Sequence, residues 1–333
     1  MTESKQADVF IVGAGIAGLM AARELARRGA QVLVVEQDEA VGGRLATRHL
    51  GPGRADSGAQ FFTAREAEFQ AWVDRWLDAG LVYEWSRGWS DGSLGTTPAT
   101  GHPRYAVRGG MQALATHLAA GLPVQTGTRI VSIVPDGAGW LARDAGGSAY
   151  HAPALILTPP VPVALGLLDP DAAALAPSDH AILTHIDYTP CLSGLFWMNG
   201  DMRLPEPGAV QRPNATITWI ADNRRKGISP DATLVTIHAG PDYSRQYWDR
   251  SDTEALNALA SALQLFKDYR TEIVQSRLDR WRYATPIGIY RERCLKASDL
   301  PPLIFAGDAF GGPRVEGAAL SGLAAAEHAA SRA

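Results

Sequence analysis

Short apolar runs and helical stretches alternate over the first part of the chain. Val9-Phe10-Ile11-Val12 reads as a strand buried on both faces, and Gln31 to Val35 reads as another. Between them Met20 to Arg28 has the composition of a helix, and Gly29 ends it. Ala64 to Ala79 carries Phe69, Trp72, Trp76 and Leu77 near helical spacing, which predicts an amphipathic helix. Tyr83 to Pro103, rich in Trp, Gly, Ser and Thr, reads as strand and loop, and Tyr105 to Leu118 as a further helix. The next segments, Val124 to Ile133, Gly139 to Arg143 and the residues through Tyr150, alternate as a β-meander does, with turns at Gly137 and Gly146-Gly147. Ala154 to Leu157 then reads as a buried strand that rejoins the first sheet and stops at Pro159-Pro160.

The pattern changes from about Val161 to Asp279. Strand-like runs at Leu192 to Met198, Ala215 to Ala221 and Leu234 to Ala239, with a helix at Ser251 to Leu265, predict an antiparallel sheet with helices. Leu303 to Ala306 returns to a buried strand that delivers Gly307-Asp308, and the Ala-rich 318–330 is a helix by composition. The expected fold class is α/β: a Rossmann-like cofactor domain with a second, antiparallel-sheet α+β substrate domain. Residues 1–65, 104–160 and 280–333 are expected to form the first, and 66–103 and 161–279 the second.

Composition narrows the functional classes. The chain has 333 residues, 46% hydrophobic and 20% charged, which suits a globular protein of about two domains. A formal charge of −4 and scattered arginines give no support for a nucleic-acid or anionic-membrane partner. Cys191 and Cys294 make neither a metal spacing nor a disulfide framework, which suits a reducing compartment. Met1 to Ala7 is short and polar, and prolines interrupt the apolar stretch from Ala154 to Leu168. The expectation is therefore a cytoplasmic protein with neither signal peptide nor membrane span.

The candidate chemistry begins in the first turn. Gly13-Ala14-Gly15-Ile16-Ala17-Gly18 comes directly after the first strand in G-x-G-x-x-G spacing, and Glu36 stands 23 positions after Gly13. Gly13 permits a tight turn, Gly15 lets the backbone approach a pyrophosphate, and Gly18 lets helix and strand pack closely. The helix start offers unpaired amides and a partial positive charge to the phosphates, and the carboxylate suits ribose hydroxyls. Strand, turn, helix, strand and acid in this order point to a dinucleotide, NAD or FAD alike.

A second glycine signature favours FAD. Gly42-Gly43-Arg44 resembles the motif found after the acid in flavoproteins related to glutathione reductase and the amine oxidases. In that family the glycines pass close to the cofactor and the arginine lies near its phosphates or flavin. The resemblance also implies that Asp308 binds the ribityl chain. The helix begun by Glu316-Gly317-Ala318 would face the pyrimidine end of the flavin, where its positive end stabilises an anionic reduced ring. FAD is expected to be held non-covalently.

Longer motifs resemble the renalases, compact flavoproteins of the amine-oxidase superfamily. They are Asp56-Ser57-Gly58-Ala59-Gln60-Phe61-Phe62-Thr63, Trp219-Ile220-Ala221, His238-Ala239 with Asp242-Tyr243-Ser244, and Arg280-Trp281-Arg282-Tyr283-Ala284. Asn223 to Ile228 departs from the Ser-Lys-Pro-Gly-Arg type of stretch expected of bacterial members. The resemblance implies a small-molecule substrate, the 2- and 6-dihydro isomers of NAD(P)H. Their hydride goes to flavin N5, and O2 then takes the electrons and yields hydrogen peroxide. It adds Gln37, Gly43, Gln60, Phe61, Ile130 and Gly307 to the cofactor contacts, and it assigns Trp281, Tyr283, His238 and Gln60 to the nicotinamide slot. On residue types alone the 56–63 stretch fits either a segment beside a flat ring or a glycine turn into a core strand. Trp281 and Tyr283, two apart, share one face of a strand, and Arg280 and Arg282 share the other.

Two other readings remain open at this level. Many amine oxidases keep a lysine bonded through water to flavin N5, and of Lys5, Lys226, Lys267 and Lys296 none stands in a recognisable context. A non-catalytic binding protein, as in the Rab GDP-dissociation inhibitors, would carry a decayed cofactor signature, whereas here the glycines and acids are present. The sequence carries no signal for oligomeric state.

Overall fold

A computed structural model describes residues 4–93 and 101–330; residues 94–100, within the loop-rich Tyr83 to Pro103 stretch, lie outside the described residues. The chain divides into two compact units. One comprises Met1–Gly43, Ala115–Tyr188 and Thr285–Ala333, the other Arg44–Leu114 and Thr189–Ala284. Segments 44–65, 104–114 and 280–284 thus group with the second unit, and 161–188 with the first.

The first unit is built on a six-stranded sheet. Its order is Leu295–Lys296, Leu303–Phe305, Ala154–Leu157, Val9–Val12, Val32–Val35, Val124–Gln125. All neighbours pair in parallel except the first two, so Val12 lies beside both Leu157 and Val35. Both central strands are buried along their whole length, as continuous apolar runs require in a parallel sheet. Helix Ile16–Arg27 succeeds the first strand directly and crosses the last helix, Arg314–Ala330. Gly322 permits that crossing, since a Cβ there would stand 2.1 Å from the Ala17 carbonyl oxygen.

The predicted meander is a separate four-stranded sheet of Ser4–Gln6, Ala149–Ala152, Gly139–Asp144 and Ile130–Asp136. Its expected first strand is corrected: Val124–Gln125 pairs with Val34 and Val35 in the large sheet, and the Gly127 turn separates it from Ile130. The helix expected from Tyr105 is also corrected. Arg104–Val107 is a strand paired with Val82–Ser86, and the helix is Gln112–Ala119. Gly109 and Gly110, at φ of 81° and 106°, make the break between them.

The second unit carries a five-stranded sheet in the order Ala209–Gln211, Ile217–Asp222, Thr233–Ala239, Asp187–Met198, Ile273–Ile287. The first three pairings are antiparallel. One face packs Phe196, Val235 and Ile237 against Leu256, Leu259 and Leu263 of a helical segment that lies between Thr233–Ala239 and Ile273–Ile287 in the chain. That segment starts at a capping box, Ser251 with Glu254, and its regular part is Asp252–Ala260.

Candidate functional site

In the first unit the glycine turn is tightly specified. Gly13 has φ of 101°, and a Cβ there would sit 2.4 Å from Thr158 Oγ1; a Cβ on Gly18 would sit 2.0 Å from the Gly13 carbonyl oxygen. Gly15 differs: among the described residues, no atom beyond its own chain neighbours lies within 4 Å of where its Cβ would be. The helix above it has no side-chain cap and no acid in its first turn, so its leading amides are not met by an anion of the helix's own start. Gly42 donates its N–H to the Ala14 carbonyl at 2.9 Å, and the Gly43 Cβ position is 3.9 Å from Gly15 Cα. Both glycine signatures therefore meet at one place.

Glu36 is buried at the end of its strand and accepts from Ala14 N at 2.8 Å and Asp38 N at 3.1 Å. Burial pushes its pKa up from the usual carboxylate value, and the Asp38 and Ala14 amides pull it back. Gln37 is exposed beside it, and Ile130 is a buried strand residue. Gly307, at φ of 143°, donates to Ser321 Oγ at 2.8 Å, which ties the Gly307-Asp308 turn to the last helix. Asp308 is buried. In the first turn of that helix Glu316 and Gly317 are half-buried, and Ala318 is buried. An open place at Gly15, uncapped amides and a buried acceptor at a second strand end fit the phosphates and ribose of a dinucleotide.

In the second unit the polar centre is the Asp56 to Gln60 loop. Lys226 Nζ meets Asp56 Oδ2 at 2.5 Å, with both side chains wholly buried. The other carboxylate oxygen of Asp56 accepts from Thr47 Oγ1 at 2.6 Å and Met111 N at 2.8 Å. Burial lowers the Lys226 pKa while Asp56 opposes the shift. The Asp56 carbonyl accepts from Thr236 Oγ1 and from Gln60 Nε2, and the Gln60 amide also donates to the Gly58 carbonyl. Two carbonyl partners settle which way the Gln60 amide points, and its Oε1 is left buried without a donor.

The Ser57 carbonyl accepts from Trp281 Nε1 at 3.0 Å and from His238 Nε2 at 3.1 Å. A carbonyl only accepts, so Nε2 carries the proton and Nδ1 the lone pair. Gln60 Nε2, 3.5 Å from His238 Nε2, then faces another donor, and no bond forms there. Burial, helped by the Lys226 charge, pushes the His238 pKa down to about 4, so the ring is neutral at pH 7. Arg44 Nη1 donates to the Tyr283 and Ala284 carbonyls, and Ala59 N donates to the Arg44 carbonyl, so one residue ties the loop to the strand.

Gln60, His238 and Trp281 are thus brought together around one loop, and Tyr283 joins them through Arg44. Phe61 belongs to an aromatic cluster with Trp85, Trp89 and Trp219. Arg280 is held by Asp252 and by the Trp248 and Arg250 carbonyls, so its charge is met within this unit. Sequence reasoning misses the role of Lys226. Nothing in Asn223 to Ile228 announces an ion pair with a residue 170 positions away.

A fold with a dinucleotide-type turn and a separate antiparallel-sheet unit is that of a flavoprotein oxidoreductase. Residues 11–76 match the NAD(P)-binding Rossmann-like domain, and 78–330 match the flavin containing amine oxidoreductases. The second match spans well over half of the chain, and the protein belongs to the flavin-containing amine oxidoreductase family, with FAD as its cofactor. AofH of Mycobacterium tuberculosis, named as a flavin-containing monoamine oxidase, is 54% identical over 54 residues, 16% of this chain and 12% of that protein. Putrescine oxidase of Kocuria rosea is 42% identical over 67 residues, 20% of this chain and 14% of that protein. These alignments thus span a small part of each relative. A triple mutant of putrescine oxidase has the same fold, with a TM-score of 0.74 at 17% identity, covering 99% of this chain and 100% of that one. Among the described residues no helix is long and apolar enough to cross a membrane.

Proposed function

We propose that this protein is a FAD-dependent oxidase of the renalase kind. It oxidises the 2- and 6-dihydro isomers of NAD(P)H to NAD(P)+, with O2 as the final electron acceptor and hydrogen peroxide as the product. Bound flavin supplies the hydride acceptor. The protein's part is to orient a planar substrate and to keep the slot dry.

The observation that carries this reading is the state of Lys226. Among the described residues it is the one buried lysine, and Asp56 already takes its charge. It is therefore not free for the water-bridged role that many amine oxidases give a lysine. His238, neutral and donating to Ser57, presents an acceptor at Nδ1 but is too weak a base to hold a substrate's proton at pH 7. Loss of hydride to give an aromatic nicotinamide ring requires no base. Trp281 and Tyr283, with Gln60 Oε1 as a buried acceptor, suit a flat ring that bears a carboxamide.

Amine oxidation is the second reading, favoured by the family and by the names of AofH and putrescine oxidase. Anaerobic mixing of the yellow protein with isomerised NADH, pure NADH and a primary amine panel separates the two. Rapid loss of visible flavin absorbance with the isomers alone is the expected result. Bleaching by amines alone would replace the renalase-like reading with the second one.

A further inference from the structure

Carboxylates meet many arginines of the second unit: Arg48 and Arg277 share Asp279, Arg87 holds Glu84, and Arg280 holds Asp252. Arg104 is different. Among the described residues its guanidinium has no ion pair and no hydrogen bond, and its Nη1 is buried without a partner. It lies instead over ring faces, 5.3 Å from the centroid of Trp89 and 6.0 Å from that of Phe61. Burial, and then the like charge of Arg65, push its pKa down.

Two further donors stand in the same cluster without acceptors. The indole Nε1–H groups of Trp89 and Trp219 are buried and unpartnered, in side chains 8% and 4% exposed. Their rings are perpendicular at 5.0 Å, which offers a ring face as a weak acceptor. The guanidinium has no counterpart of equal strength. Trp219 is the cross-strand partner of His238, and Phe61 is next to Gln60 in the chain, so the cluster adjoins the candidate slot.

We infer that Arg104, with the indole N–H groups of Trp89 and Trp219, is a receptor for a phosphate oxyanion of the substrate and selects a phosphate-bearing dinucleotide over an amine. The identity of the ligand rests on the dihydronicotinamide reading above. Three donors with no oxygen or nitrogen acceptor among the described residues suit an oxyanion, and aromatic walls that exclude water strengthen each charge-assisted bond. An ammonium group would meet an uncompensated cation there.

Calorimetric titration of the FAD-loaded protein tests this with NAD+, with nicotinamide riboside, which has no phosphate, and with putrescine. The wild-type protein is expected to prefer NAD+ over the riboside by at least about tenfold, with an affinity that weakens as salt rises. Arg104→Gln should lose that preference and most of the salt dependence, and Arg104→Lys should keep part of both. A preference unchanged in Arg104→Gln overturns the inference, as does tighter binding of putrescine than of NAD+ by the wild type. If Arg104→Gln does not fold, Trp219→Phe removes one donor and keeps a ring; an unchanged preference there has the same force. Should the dihydro isomers fail to bleach the flavin while Arg104→Gln still loses its NAD+ preference, the oxidase reading falls and the receptor stands.

Discussion

The two units handle charge in opposite ways. The first prepares a place for an anion with backbone alone: glycines that leave room at Gly15, and a helix start with neither cap nor acid. The second buries full charges of its own, Lys226 against Asp56, and among the described residues it leaves the Arg104 guanidinium without an anion. Backbone geometry of the first kind depends on local residue order. Ionic geometry of the second kind depends on partners from distant parts of the chain, and it is costly to disturb because water cannot replace a lost partner.

Lys226→Met is the sharpest way to break this contrast. It leaves Asp56 buried without its counter-ion and should cost about 3–5 kcal/mol of folding stability, read from urea denaturation. Adding Asp56→Asn should recover part of that loss, and a double-mutant cycle would show the coupling as non-additivity. A loss below about 1 kcal/mol, near the surface-pair range, would mean that the pair is far better solvated than its burial implies.

His238 gives the next effect, on the order of 1–3 kcal/mol. Its pKa is about 4 in the fold, against 6.5 for the free side chain. Between these values the unfolded chain binds the proton and the folded chain does not. Its contribution is therefore complete above pH 6.5 and is lost as pH falls toward 4. Chemical denaturation from pH 7 to 4 should show this slope in the wild type and a shallower one in His238→Gln; identical profiles would remove burial as the cause.

In the first unit, Glu36→Ala should weaken FAD binding by about 1–3 kcal/mol for lost hydrogen bonds to a buried acceptor. Equilibrium dialysis of FAD would read it, and an unchanged constant would take Glu36 out of the ribose role. The smallest effect belongs to the exposed Arg245–Asp242 pair. Arg245→Ala should shift stability by no more than about 0.5 kcal/mol, and less at high salt. A larger shift would erase the distinction between buried and surface charge.

Legibility divides along the same line. The strand, glycine turn, helix and strand from Val9 to Val35 can be read directly, because parallel strands need continuous apolar runs and a close turn needs glycine. Val124–Gln125 reads as meander from residue types, because two residues carry no period and only pairing with Val34 and Val35 assigns them. Tyr105 reads as helix because its apolar neighbours suit either period, and pairing with Glu84 decides for strand.

By itself, the sequence determined the dinucleotide-type turn, the acid beyond it, the second glycine pair and the existence of a separate antiparallel sheet. These depend on local steric rules that residue types carry with them. Only the tertiary structure decided that Lys226 is consumed by Asp56, that the Ser57 carbonyl sets the His238 tautomer, and that Arg104 meets no counter-charge among the described residues. Such facts depend on which side chains meet after folding, and on water being excluded where they meet.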